Sequence, residues 1–171
     1  MTHEMTTNDP LVNTPRSRSE YLLTSLSVAS PAHRWTVRAV DVTDREQLAT
    51  VILDAYRGTV DDEGEDHEAA LAAVDEWLSR LQSPHSVVLE QDGRIVAVSF
   101  VVSVAGREYI DPVATVPWHK REGLGRAAVA TSLRSLHEGG VREVGAVITD
   151  GNTGSERLFA SLGFVRVGPW E

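Results

Sequence analysis

Cysteine is absent from the 171-residue chain. That excludes disulfides, thiolate metal ligands and a cysteine nucleophile, and it fits a reducing compartment best. No apolar run approaches the roughly 20 residues of a membrane span. The opening stretch, MTHEMTTNDPLVNTPRSRSE, lacks the apolar core of a secretory signal. These absences lead to the expectation of a cytoplasmic protein with no membrane partner. The string G-x-x-x-x-G-K-[ST] of a Walker phosphate loop does not occur. The six histidines (3, 33, 67, 85, 119 and 137) show no zinc-type spacing, so no metal is expected. There is no internal repeat and no low-complexity tract.

Positive charge is scarce in the first half. The formal net charge is -9, and residues 41–92 carry fourteen Asp/Glu against three Arg. A nucleic-acid binder shows the opposite footprint, so no nucleic-acid partner is expected. The C-terminal half is richer in arginine, with Arg121, Arg126 and Arg134. The length suits one domain, which can bury roughly 70% of the unfolded chain's surface without staples.

Hydrophobic periodicity orders the chain. Residues 1–33 are polar apart from YLLTSLSVA and read as a flexible tail, with that patch able to dock as a short helix or strand. RWTVRAV alternates and reads as a strand. VTDREQLATVILDAYRG reads as a helix, with Thr43 and Glu46 as a capping-box pair. An acidic loop, TVDDEGED, leads to the helix HEAALAAVDEWLSRL, whose apolar stripe is Leu71, Val74, Leu78 and Leu81. SVVLEQDGRIVAVSFVVSV reads as two strands turned at Asp92-Gly93. EYIDPVATV is a third strand, and Pro112 inside it demands an edge or a bulge. A helix follows from the glycine stretch to Gly139, then the strand VREVGAVITD, the helix of GNTGSERLFASLG and a last strand, FVRVG. The expectation is a mixed α/β domain over residues 34–171.

HKREGLGRA, residues 119–127, places basic residues and two glycines just before a helix. Glycines let a backbone approach an anion, and free N–H groups at a helix start attract phosphate. Tight packing at a helix entry is the plain alternative. G-x-G-x-x-A also fits residues 123–128, but six residues separate the strand from the first glycine. A dinucleotide fingerprint follows its strand closely.

A second motif, NTGSERLFASLGF, begins about 27 residues after Gly125. Together the two stretches resemble the GNAT superfamily of acyl-CoA N-acyltransferases. Members carry V-x-P-x-x-[RQ]-x-x-G-x-G before a helix, and later N-x-x-[AS]-x-x-L-[YF]-x-x-x-G-F. Here the first reads Thr115, Pro117, Lys120, Gly123 and Gly125. The second reads Asn152, Ser155, Leu158, Phe159, Gly163 and Phe164. The resemblance covers residues 34–171 and implies the GNAT fold: a mixed, mostly antiparallel central sheet flanked by helices. It implies acetyl-CoA as co-substrate and direct transfer of the acetyl group to a primary amine of a small molecule or peptide. A non-catalytic acyl-CoA-binding or sensing module is the alternative.

Residue by residue, the resemblance implies that Val113, Ala114 and Thr115 pair with the pantetheine arm. Lys120, Arg121, Glu122, Gly123, Leu124, Gly125 and Arg126 would form the pyrophosphate loop. Asn152 would meet the pantetheine arm, beside Phe159. Bases in members lie six or four residues before the position held by Thr115, which gives Tyr109 and Asp111. Asp111 is preferred, with Tyr109 as helper; a turn residue before proline is the plain reading of Asp111. An amine with a pKa near 10.4 is neutral in roughly one molecule in 2,500 at pH 7, so a base is needed. Phe159 stands where many members have a tyrosine acid, leaving His119, Ser155 or solvent to protonate the thiolate. Val147 stands where members that acetylate protein N-termini often carry glutamate. In this fold the first helices wall the acceptor site, which implicates Tyr56, Asp61, Asp62 and Trp77. The carboxylates would suit a cationic amine, or form only a solvated loop. Finally, FVRVGPWE leaves room for one strand where members have two. The expectation is an open sheet edge or one completed by another subunit, as in a homodimer.

Overall fold

The computed structural model describes residues 16–24, 35–81 and 84–171. Among these, seven strands form one sheet with four α-helices around it. The strands are β1 (Arg18–Leu23), β2 (Thr36–Ala39), β3 (Val87–Gln91), β4 (Arg94–Val104), β5 (Arg107–Thr115), β6 (Val144–Thr149) and β7 (Val165–Pro169). The helices are α1 (Arg45–Tyr56), α2 (His67–Ser79), α3 (Leu124–Glu138) and α4 (Thr153–Ser161). The sheet order is β2-β3-β4-β5-β6-β1-β7. Every neighbouring pair is antiparallel except β5 and β6. This is the mixed α/β architecture that the periodicity and the resemblance lead to.

Local chemistry explains most boundaries. Asp92 and Gly93 both take positive φ (52° and 73°), as a two-residue primed turn requires, and β3 turns there into β4. The entry to α1 differs from the expected Thr43–Glu46 box. A short 3-10 turn, Val42–Asp44, precedes the helix, and Asp41 caps it while Asp44 reaches back to the Asp41 N–H. Aspartate accepts as well as threonine does, and it stands two residues earlier. Glu46 instead meets Arg45 and His67 on the surface. Arg38 of β2 fixes this corner through a bidentate contact to the buried Asp44 (2.7 and 2.8 Å) and a bond to Glu90.

The sequence places Arg18–Leu23 in a tail, and the structure corrects this. These six residues form β1, paired with β6 on one side and β7 on the other. Tyr21 and Leu23 enter the core beside Leu133, Phe159 and Phe164. Residues 1–15 and 25–33 of the expected tail, with residue 34 of the expected domain, lie outside the described residues. The single C-terminal strand is β7, and the strand between it and β6 comes from this chain's own N-terminal segment. A second subunit is therefore not needed to fill that place. Two apolar clusters make the core. One lies among α1, α2, β2–β4 and the start of α3, the other among α3, α4, β1, β5 and β6.

Candidate active site

The site begins with a fault in β5. Val113 lies across from Ser99 of β4, and Ile110 across from Val101. Asp111 and Pro112 thus oppose the single residue Phe100, which is a β-bulge. On its other side β5 runs parallel to β6 only over Glu108–Ile110, against Val144–Ala146. Beyond Ile110 the two strands separate, and no described strand pairs with residues 111–115 on that side. Their backbone groups face a wedge.

Two clefts fill the wedge. The first, about 340 Å³, is lined by Tyr56, Asp61, Trp77, Asp111, Thr149 and Phe159 among others. The second, about 560 Å³, runs past Val113, Ala114 and Thr115 to the glycine loop. Tyr56, Asp61, Val113, Asn152 and Ser155 line both, so the two are ends of one groove.

At the loop end, Gly123 has φ 80°, a left-handed conformation that suits glycine, and stands as the N-cap of α3. Helical bonding starts with the Ala127 N–H donating to the Gly123 carbonyl (2.9 Å). The amides of Leu124, Gly125 and Arg126 therefore have no partner within the helix, and the helix dipole favours an anion there. A Cβ on Gly125 would stand 2.9 Å from Leu158 Cδ1 and 3.4 Å from Thr115 Oγ1. Glycine at 125 thus serves packing as well as backbone access. Lys120, the chain's only lysine, donates from Nζ to the Ala55 carbonyl at the end of α1 (3.0 Å). Arg121 has positive φ and lines the cleft. Arg126 Nε donates to Ser161 Oγ (3.3 Å). Glu122 lies outside both linings, with Oε2 2.8 Å from His119 Nδ1. Asn152 caps α4 by accepting from the Ser155 N–H, and its Nδ2 donates to Asp61 (2.7 Å). It ties the acidic loop to α4.

Asp111 stands in the first cleft, with no hydrogen-bond or ion-pair partner among the described residues. Water reaches the half-buried residue along the cleft, yet the cleft walls crowd its carboxyl. Burial pushes its pKa up to about 6, Arg18 holds it down, and Asp61 adds to the rise. The Tyr56 hydroxyl is also pushed up, first by burial and then by Asp111 and Asp61. It stays protonated at neutral pH and is available as a hydrogen-bond donor. Tyr109 is not brought to Asp111. Its hydroxyl donates to Glu20 (2.7 Å), Arg107 reaches it, and its ring meets Trp170 edge-on. It lines a separate depression with Arg142 and Glu143. Phe159 packs edge-on against Phe164 and offers no proton. Trp77 lines the first cleft and packs against Phe100. Asp62 accepts from the Gly58 and Gly64 amides, a turn role at the cleft rim. Val147 and Ser155 line the first cleft.

Arg16, Arg18, Arg57 and Thr149 also line this cleft, and sequence reasoning did not single them out. Arg16 and Arg18 belong to a segment outside both motifs, so no spacing rule pointed to them. Among the described residues no group of three His, Asp or Glu is arranged to hold a metal. No helix among them is long and apolar enough to cross a membrane.

The fold recurs in solved structures. A GCN5-related N-acetyltransferase from Sphaerobacter thermophilus superposes with a TM-score of 0.70 at 19% identity, covering 90% of this chain and 49% of that one. The present chain thus spans about half the length of that relative. The ribosomal-protein-S18-alanine N-acetyltransferase of Escherichia coli gives 0.61 at 21% identity, covering 78% and 79% of the two chains. AAC(6')-Iy, solved in complex with the bisubstrate analog CoA-S-monomethyl-acetylneamine, gives 0.59 at 19% identity, covering 78% and 92%. No curated protein matches the sequence. Residues 46–164, well over half of the chain and including the bulged strand, the glycine loop and Asn152, match the acetyltransferase (GNAT) family, and the chain belongs to that family.

Proposed function

We propose that this chain is an N-acetyltransferase that moves the acetyl group of acetyl-CoA directly to a primary amine of a small molecule or peptide. The observation that carries the reading is the continuous groove. An unpaired, bulged strand edge leads at one end to the first amides of α3 and at the other to the unbonded carboxylate of Asp111. The groove's chemistry fits coenzyme A. Backbone groups of residues 113–115 suit an amide-rich arm, and the amides of residues 124–126 with Arg121 suit a pyrophosphate. AAC(6')-Iy, of the same fold, is described in complex with a CoA-containing bisubstrate analog.

When bound, acetyl-CoA supplies a thioester already activated toward acyl transfer. The C–N bond forms as the C–S bond breaks, and the amine proton goes to the Asp111 carboxylate, directly or through one water. A pKa of about 6 leaves Asp111 mostly ionised at pH 7 and still basic enough to help. Tyr56 can hydrogen-bond the departing sulfur, but its raised pKa makes it a poor acid, so solvent protonates the thiolate. The proposed site needs no covalent enzyme intermediate and no metal. Its setting is proposed to be the cytoplasm.

The test pairs acetyl-CoA calorimetry with a thiol-release assay against polyamines, aminoglycosides, amino acids and basic peptides. Binding with turnover is expected, and Asp111→Asn should lower kcat about 10²–10⁴-fold while changing acetyl-CoA affinity little. Binding without turnover of any amine would favour the sensing module, consistent with the absence of an acid at Phe159. Failure to bind acetyl-CoA would overturn both readings.

A further inference from the structure

The acidic loop suggests a cationic acceptor until its hydrogen bonds are traced. Asp61 accepts from Asn152, and Asp62 from the amides of Gly58 and Gly64. Glu63 pairs with Arg16, which also donates to the Asp62 carbonyl. Glu65 accepts from the Glu63 N–H. The loop's carboxylates in the cleft are therefore bonded within the protein. Three charged groups of the cleft remain without a side-chain hydrogen-bond or ion-pair partner among the described residues: Asp111, Arg18 and Arg57, the last of which acts on Asp62. Of these, Asp111 on β5 and Arg18 on β1 stand on strands of the sheet.

The sheet order separates these two groups by one strand, β6. Asp111 follows Ile110, the last β5 residue paired with β6. Arg18 lies across from Thr149 at the far end of β6, on the strand beyond it. Both residues line the first cleft. Across that space the positive charge of Arg18 favours ionisation of both Asp111 and Tyr56. An acceptor lying between them meets a carboxylate at one end and a guanidinium at the other.

Resting on the acetyltransferase reading, we infer that Arg18 is a specificity-determining residue that binds a carboxylate of the acceptor, so that the substrate class is an amine carrying a carboxylate. The amine lies toward Asp111 and the carboxylate toward Arg18. Guanidinium matches carboxylate geometry with two parallel N–H···O bonds, which makes this contact both strong and selective. A polyamine would place a second cation against Arg18.

The experiment uses the full chain, acetyl-CoA and matched acceptors. These are glycine, β-alanine, γ-aminobutyrate, L-lysine and L-glutamate, each beside its carboxyl amide, with spermidine as the carboxylate-free polycation. At least one acid is expected to exceed its amide about tenfold or more in kcat/KM, mainly through KM. Arg18→Gln should lower kcat/KM for that acid about 10–100-fold, the scale of a charged hydrogen bond, and bring the acid-to-amide ratio near one. Arg18→Lys should recover part of it. The exposed position of Arg18 keeps these variants folded. The α-, β- and γ-amino acids differ only in the spacing of the two groups and show which length fits. Equal or better use of amides or spermidine would overturn the inference, as would an Arg18→Gln that slows acids and amides alike. Acetyl-CoA binding with no panel acceptor turned over would also overturn it, and turnover of an aminoglycoside instead would leave the acetyltransferase reading in place. Absence of acetyl-CoA binding would instead sink the acetyltransferase reading and this inference with it.

Discussion

At the residue scale, Asp111 ties rate and stability to the same proton. As the proposed base it works only when ionised, so, beyond the amine's own titration, kcat/KM should lose a further factor of about ten per pH unit below its pKa of about 6. Asp111→Asn should erase that limb. Stability runs the other way. The folded-state pKa lies above the unfolded value of 3.8, so the folded protein binds this proton more tightly. The resulting contribution is complete below pH 3.8 and is lost as pH rises through about 6. Above pH 6 the wild type carries an ionised carboxylate in a crowded cleft that the asparagine variant lacks. Thermal melts should show Asp111→Asn more stable by about 1–2 kcal/mol at pH 8, allowing for water in the cleft, and by little at pH 4. A variant equally stable at both pH values would remove the burial argument. The bulge at Asp111 and Pro112 was legible because a proline inside a strand demands one, and the motif sets the counting origin that proposes Asp111 as base. Tyr109 was counted from the same origin, but its environment depends on Glu20 and Trp170, which no local pattern ties to β5.

At the scale of elements, β5 and β6 meet through a void that one glycine provides. A Cβ at Gly145 would lie 2.3 Å from Tyr109 Cε1 and 2.4 Å from Cδ1. The ring cannot easily yield, because Glu20 holds its hydroxyl and Trp170 its edge. Gly145→Ala should therefore cost about 2–3 kcal/mol by forcing the strands apart. For a chain of this length that lowers Tm by about 4–12 °C. Adding Tyr109→Leu should recover part of the loss, a coupling measured by the double-mutant cycle. Strict additivity would show that the ring is not the obstacle. Helices and hairpins were readable because their signals are local: a stripe, a cap, an Asp-Gly turn. Even so the capping box formed on Asp41 and Asp44 of the 3-10 turn before α1 rather than on Thr43 and Glu46, acceptors competing for one corner. β1 was readable only as a patch able to dock, not as an inner strand of the sheet. It has six residues, its flanks are polar, and its partners β6 and β7 lie at the other end of the chain.

At the scale of the molecule, β1 joins the fold to the proposed specificity. Among the described residues β7 has β1 as its only strand neighbour, and β6 has β1 on one whole edge. Tyr21 and Leu23, each under a tenth exposed, lie in the cluster that holds Phe159 and Phe164. Burying two such side chains is worth about 3–6 kcal/mol, a large share of a typical 5–15 kcal/mol stability. Deleting residues 1–24 should therefore abolish cooperative melting or lower Tm by about 10 °C or more. Leu23→Ala in the full chain should cost about 2–4 kcal/mol and keeps the prediction testable if the deletion is insoluble. A peptide spanning residues 16–24, added to the truncated chain, should raise Tm with concentration, because strand addition stabilises only the folded form. The same peptide with Arg18→Gln should restore Tm equally, since Arg18 lies outside the core, yet fail to restore the preference for carboxylate-bearing amines. Equal recovery of both by the two peptides would detach Arg18 from the acceptor. A truncated chain that melts like the full one would detach β1 from the fold.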